Sequence, residues 1–207
     1  DYLRLIESLQ KQESHLLKIG VALHSLRAVP EHTLTELLPE LARQGLPVHI
    51  HIAEQQAEVN ECLDIRGARP VQWLLDNAEV NENWCLVHAT HIDAKETKAL
   101  AKSGAVVSIC PSTEANLGDG FFPLKDYLKH KGRWAVGSDS NASVSVVEEL
   151  RWLEYGQRLK HQQRNLVAGA KQPDVGTQLL ADAAAGGWQA SGVEARDDCI
   201  ELDGNAP

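Results

Sequence analysis

A chain of 207 residues, 43% hydrophobic and 24% charged, can bury one ordinary core and is too apolar to be disordered. A net charge of -9 with no basic patch argues against a nucleic-acid surface, and no apolar run is long enough to span a bilayer. Cys62, Cys85, Cys110 and Cys199 form no C-x-x-C pair, a usage that suits buried free thiols in a reducing cytoplasm better than a disulfide frame or structural zinc.

The opening stretch LRLIESLQ reads as helix interior, and the closing ELDGNAP as the start of a strand, the pattern of a piece of a longer protein. Between them strands and helices alternate. KIGVAL (Lys18–Leu23) reads as a strand. Leu34, Leu37, Leu38 and Leu41 then recur at helical spacing with Gly45 at the C-cap position, and Pro39 inside that run predicts a kink or a later start. PVHIHIA is a second strand, followed by a helix with Val59, Cys62 and Leu63 and a further helical turn from Pro70 to Leu75. WCLVHA (Trp84–Ala89) is a third; Asp93 and Glu96 stand in capping-box relation before a helix that Gly104 ends. AVVSIC (Ala105–Cys110) is a fourth strand, a short helix near Pro123–Lys131 follows, and RWAVGSD (Arg133–Asp139) is the fifth. A long helix is expected from Ser143 to about Leu166, then another around Thr177–Ala190 and an extended tail.

Strands separated by helices imply parallel βαβ units, whose chemistry gathers at the carboxyl ends of the strands. Polar residues stand at every such end: His24 with Arg27, His51 with Glu54, His88 with His91, Ser112–Glu114, and Asp139. Each alone has an ordinary explanation. A histidine at a strand end is more often a hydrogen-bonded structural residue than a ligand, and Asp139 in GSDSNAS could cap the next helix. Glu54 could face a helix dipole, Arg27 could be a solvated charge, and His91 could belong to a loop or cap. As a set they could converge on one mouth, as the ligands of a catalytic zinc do. His49 and His51 share strand parity, so they form either a paired chelate or a rim residue with a deeper, packed neighbour.

HIAE (His51–Glu54), the lone His88 ending a strand, and GSD ending in Asp139 resemble the metal-dependent deaminases of the amidohydrolase superfamily. HSLRAV (His24–Val29), VHIHIAEQ, WCLVHATH, STEANLGDG (Ser112–Gly120) and SVVEELRWLEYGQRL (Ser145–Leu159) are similar to a branch that hydrolyses an amidine carried on a small dicarboxylate, with few gaps from about Gly20 to Arg164. The resemblance implies an α/β fold, part of a TIM-like (β/α)8 hydrolase barrel. Three strands separate His51 from Asp139, so the chain corresponds to about strands 4 to 8, without the H-x-H pair of strand 1. Residues 1–168 would be the partial barrel and 169–207 a C-terminal segment. Such a piece should leave two unpaired sheet edges and part of an apolar interior exposed.

The same resemblance implies one zinc ion, with His51 and Asp139 as ligands and His49 as interior packing. It implies catalytic roles for Glu54, His88 and Asp139, and substrate binding by His24 and Arg27. The Ser112–Gly120 stretch, read as a glycine-rich loop, would wall or lid the pocket. A small dicarboxylate substrate and a cytoplasmic homodimer are expected, with no nucleic acid or membrane partner. Leu23, where proline is usual, and Asn141, where histidine often follows GSDS, depart from the branch's pattern away from the expected ligands. Deaminases of guanine, cytosine or adenosine-type substrates are the alternative within the superfamily, and a half-barrel without turnover is the alternative outside enzymes.

Overall fold

The computed structural model describes residues 2–14, 17–168 and 173–194. After helix α1 (Tyr2–Gln10), five strands alternate with helices: β1 (Val21–Ser25), α2 (Glu31–Gln44), β2 (Val48–Ile52), α3 (Gln56–Arg66), α4 (Pro70–Asn77), β3 (Trp84–His88), α5 (Ala94–Ser103), β4 (Val106–Ile109), α6 (Pro111–Leu117), α7 (Leu124–Lys129) and β5 (Arg133–Val136). Helices α8 (Val146–His161) and α9 (Val175–Ala190) complete the described chain. All strand pairs are parallel and the order is sequential, β1-β2-β3-β4-β5, the arrangement expected of consecutive barrel strands.

Alternate side chains divide the sheet faces. Val48, Ile50, Ile52, Leu86, Val107, Ile109 and Trp134 are buried in the main core, with Leu34, Leu41, Val59, Val71, Leu74 and Leu100 from the helices. The β2 histidines, on the opposite parity, are half-buried. Cys62, Cys85 and Cys110 are buried free thiols; burial pushes the Cys85 thiol up to about 12, which leaves it inert at neutral pH. Cys199 and the expected extended tail lie outside the described residues.

Four local expectations are corrected. The first strand starts at Val21, whose N–H reaches the Pro47 carbonyl at 2.8 Å, and runs on to include His24. Helix α2 starts at Glu31 and continues through Pro39, because its four leucines, Leu34, Leu37, Leu38 and Leu41, are all buried. Their burial at ~1.5–3 kcal/mol each outweighs the ~3 kcal/mol an interior proline costs. Pro111–Leu117, expected as loop, is a helix with proline at its first position and Gly118 closing it in the left-handed region. Helix α8 starts at Val146, where the Ser145 hydroxyl accepts the Glu148 N–H, and ends at His161, five residues before the expected end.

The sheet edges are β1 and β5. The backbone of β5 is covered by α9, whose small residues allow close approach: a Cβ at Gly186 would lie 2.0 Å from the Trp134 carbonyl oxygen. Gly187, one residue on, has nothing within 4 Å of the same construction. Gly186→Ala is therefore expected to destabilise the chain by about 2 kcal/mol, or roughly 4–8 °C in Tm. Gly187→Ala should be neutral or stabilising by up to about 1 kcal/mol. Thermal unfolding followed by circular dichroism separates the two.

Candidate active site

The carboxyl ends of the strands carry backbone that L-residues seldom adopt. His24 (φ 55°) stands one residue before the end of β1, Ala53 (φ 50°) follows β2, His88 (φ 70°) and Ala89 (φ 49°) close β3, and Asp139 (φ 49°) follows β5. Each turn swings the chain out of sheet pairing and aims a side chain or carbonyl across the mouth. Such outliers persist only where surrounding bonds hold them.

After β2 those bonds come from a buried acid, after β3 from the Ile52 and Ala53 carbonyls, and beside Asp139 from the Thr113 hydroxyl. The Glu58 carboxylate, 2% exposed, accepts the N–H groups of Ala53 and Glu54, each at 2.9 Å. Glu114, 4% exposed, accepts the Cys110 N–H at 2.9 Å and the His88 Nδ1–H at 3.2 Å, both on Oε1. Neither acid was assigned a role from sequence. The available signal is an acid in the first turn of the helix that follows a strand-end turn, where its carboxylate can reach back to free N–H groups.

Within this frame His51, Glu54, His88 and Asp139 converge. His51 Nε2 lies 3.8 Å from Asp139 Oδ1, and His88 Nε2 lies 3.7 Å from Glu54 Oε1 and 4.0 Å from Asp139 Oδ2. The His51 and His88 rings stack at 5.7 Å, and the His24 ring stands 5.5 Å from His51. Arg27 is closer to the site than a solvated charge would be: its guanidinium is 3.6 Å from Glu54 Oε2 and 3.9 Å from Glu58 Oε2. His49 stays apart, its Nε2–H donating to the Ala190 carbonyl at 2.8 Å. His91 sits in the turn after β3, its N–H on the Ala53 carbonyl and its own carbonyl accepting from Arg69.

Donor atoms of His51, His88 and Asp139 lie within 4.8 Å of one another. The His51 tautomer fits a metal ligand. Its Nδ1–H donates to the His24 carbonyl at 2.9 Å, which turns Nε2 toward the Asp139 carboxylate as the atom available to a metal. His88 Nε2 is also buried without a hydrogen-bond partner and faces the same carboxylates. Burial alone would push the His88 imidazole down; its bond to Glu114 and the carboxylates of Glu114, Glu54 and Asp139 outweigh this and hold it above the usual range. Burial in turn pushes the Glu114 carboxyl up. A cleft with this excess of carboxylate is suited to a cation.

An α/β half-barrel with imidazole and carboxylate gathered at its strand ends defines a hydrolase of the amidohydrolase type, and the chain belongs to the amidohydrolase family, which it matches over residues 2–171. It is 50% identical along its whole length to formimidoylglutamate deiminase of Pseudomonas aeruginosa, of which it covers 47%. It superposes on the crystal structure of an amidohydrolase from Brucella melitensis with a TM-score of 0.86 and 45% identity, over 92% of this chain and 42% of that one. A zinc-bound adenosine deaminase from Xanthomonas campestris shares the fold at a TM-score of 0.81 and 24% identity, over 92% and 43%. The chain thus spans about half the length of the curated relative it matches.

Glu58→Ala strips two N–H groups of their acceptor beside Glu54. It should cost about 2–4 kcal/mol, the desolvation of two unsatisfied buried donors, read as a lower midpoint in urea unfolding.

Proposed function

We infer that the whole protein of which this chain forms a part hydrolyses N-formimino-L-glutamate to N-formyl-L-glutamate and ammonia, a step of histidine degradation. The observation that carries this reading is the convergence of Glu54, His88 and Asp139 beside His51, with Arg27 at the rim. The identity with formimidoylglutamate deiminase supports the choice of substrate. The chain's limited coverage of that relative makes the reaction a proposal for the whole gene product.

His51 and Asp139 would hold a divalent ion, zinc, whose chemistry when bound is to lower the pKa of water toward ~7. An amidine carbon is a poor electrophile, so the residues around it must supply the rest. Asp139 accepts the proton of the attacking water as the C–O bond forms. Glu54 carries a proton to the substrate nitrogen, so that the C–N bond breaks with ammonia leaving rather than an amide anion. His88 Nε2 orients the water and offsets charge on the tetrahedral carbon's substituents. The two substrate carboxylates call for a guanidinium and a second donor, the roles given to Arg27 and His24.

Arg27→Ala in the whole protein should raise KM for N-formimino-L-glutamate roughly tenfold to a hundredfold, the loss of one charge-assisted bond, with a smaller change in kcat. Ammonia release measures it, and an unchanged KM would remove the dicarboxylate reading in favour of another deaminase substrate. Zinc titrated into the isolated 207 residues should bind weakly, with no turnover. Calorimetry should show that His51→Ala and Asp139→Ala abolish the binding, since each removes one of the ligands.

A further inference from the structure

We propose that Glu114 is a positioning residue for His88: it holds the ring with Nδ1–H turned into the protein, so that Nε2 is the atom presented to the cleft. The case stands on which atoms can donate. Glu114 Oε1 accepts the Cys110 N–H at 2.9 Å, a bond from a backbone donor that has no other orientation. The His88 Nδ1 atom meets that same oxygen at 3.2 Å. A carboxylate oxygen has no hydrogen to give, so where Glu114 is ionised the Nδ1 that meets it is the donor. The opposite nitrogen has no hydrogen-bond partner and faces Glu54 and Asp139.

Helix α6 exists to make this possible. Its first turn brings Glu114 back beneath the end of β4, one strand over from His88, and both side chains are almost wholly buried. A ring turned over about its Cβ–Cγ bond would set Cδ2 against Glu114 Oε1 and Cε1 where Nε2 now faces Glu54 and Asp139. In the held orientation the cleft meets Nε2 whether the ring is neutral or charged, so the arrangement serves water orientation and charge stabilisation alike. His88, Cys110 and Glu114 donor atoms also lie within 4.8 Å of one another. The two bonds on Glu114 Oε1 account for that proximity without a second ion.

The inference rests on the role proposed for His88 in deamination, and its test has one arm that does not. In the whole protein labelled with 15N-histidine, with the His88 signal assigned by its loss in His88→Asn, Nδ1 should be protonated. Glu114→Leu removes the acceptor at similar volume. It should abolish the one-sided protonation and lower kcat for ammonia release roughly tenfold to a hundredfold with KM nearly unchanged, the scale of lost ligand-orienting partners. Glu114→Gln retains an oxygen for both donors and should restore the Nδ1 signal and most of kcat. An unprotonated Nδ1 in the unaltered protein overturns the proposal, and so does a folded Glu114→Leu variant whose kcat stays within about twofold. The tautomer in the unaltered protein decides the matter even where the leucine variant does not fold. If the unaltered protein releases no ammonia, the deaminase reading fails while the nitrogen signals still decide the role of Glu114.

Discussion

A carboxylate buried beneath a strand end, accepting backbone N–H groups that have left the sheet, is the interaction on which this site depends. Positive φ at Ala53, His88, Ala89 and Asp139 carries a cost on the order of 1–3 kcal/mol per residue. The same turns take N–H groups out of the ladder, and a buried N–H without a partner adds a comparable penalty. Glu58 removes the second cost at the end of β2, and Glu114 does so after β4. A carboxylate has lone pairs enough for two such bonds, as an amide oxygen does, and its charge strengthens them. The turn that carries Glu54 is therefore held by the same kind of group that makes the cleft acidic, while the turn at His88 is held by the Ile52 and Ala53 carbonyls.

That acidity shapes the electrostatics of the mouth. Three carboxylates stand within 4.0 Å of the His88 ring, from Glu114, Glu54 and Asp139. Arg27 offsets part of the charge from the rim side, shared between Glu54 and Glu58. At the buried His88 end of the cleft the remaining negative charge is costly unless a cation enters or protons are taken up. His51, with Nδ1–H on the His24 carbonyl and Nε2 toward Asp139, suits the first solution, and the carboxylates that hold the His88 imidazole above its usual range favour the second. The cleft is acidic around His51, His88 and Asp139 and carries its guanidinium at the rim beside Glu54. The chain's net charge of -9 hides this division.

Periodicity and punctuation in the sequence located all five strands within a few residues and marked His51, Glu54, His88 and Asp139, because each sits where alternation stops. The α5 capping box was readable for the same reason: its partners are three residues apart, and the Asp93 and Glu96 side chains make both reciprocal bonds. Where the reading failed, long-range packing overrode local rules. Pro39 does not force the later helix start that was one of its two expected effects, because leucines on both sides of it are buried. Ser112–Gly120 looked like a loop on its glycines, yet Pro111 and the Glu114 bond to Cys110 start a helix whose terminating glycine comes only at Gly118. Glu58 went unmarked, and Glu114, marked only as part of the polar stretch Ser112–Glu114, had no individual role, because an acid in a helix's first turn usually faces solvent and only the fold shows that these two point inward.

The distances in sequence explain why no local pattern could have revealed the site's internal order. Each strand end is held by its neighbour rather than by its own strand. The His24 carbonyl of β1 receives the His51 ring of β2, 27 residues on. The Ile52 and Ala53 carbonyls of β2 take the N–H groups of Ala89 and His91 after β3. His88 of β3 reaches Glu114 beyond β4, 26 residues away, and Thr113 beside it bonds the Ser138 carbonyl and the Ser140 N–H around Asp139. A parallel sheet with sequential order makes this relay possible, since it brings successive carboxyl ends side by side in chain order. Register among the strands is then a functional quantity. A slip of one residue between β2 and β3 would turn every side chain to the other face and separate His51 from His88. The apolar residues that fix the register, Ile50, Ile52 and Leu86, are in this sense as much a part of the site's geometry as the imidazoles above them.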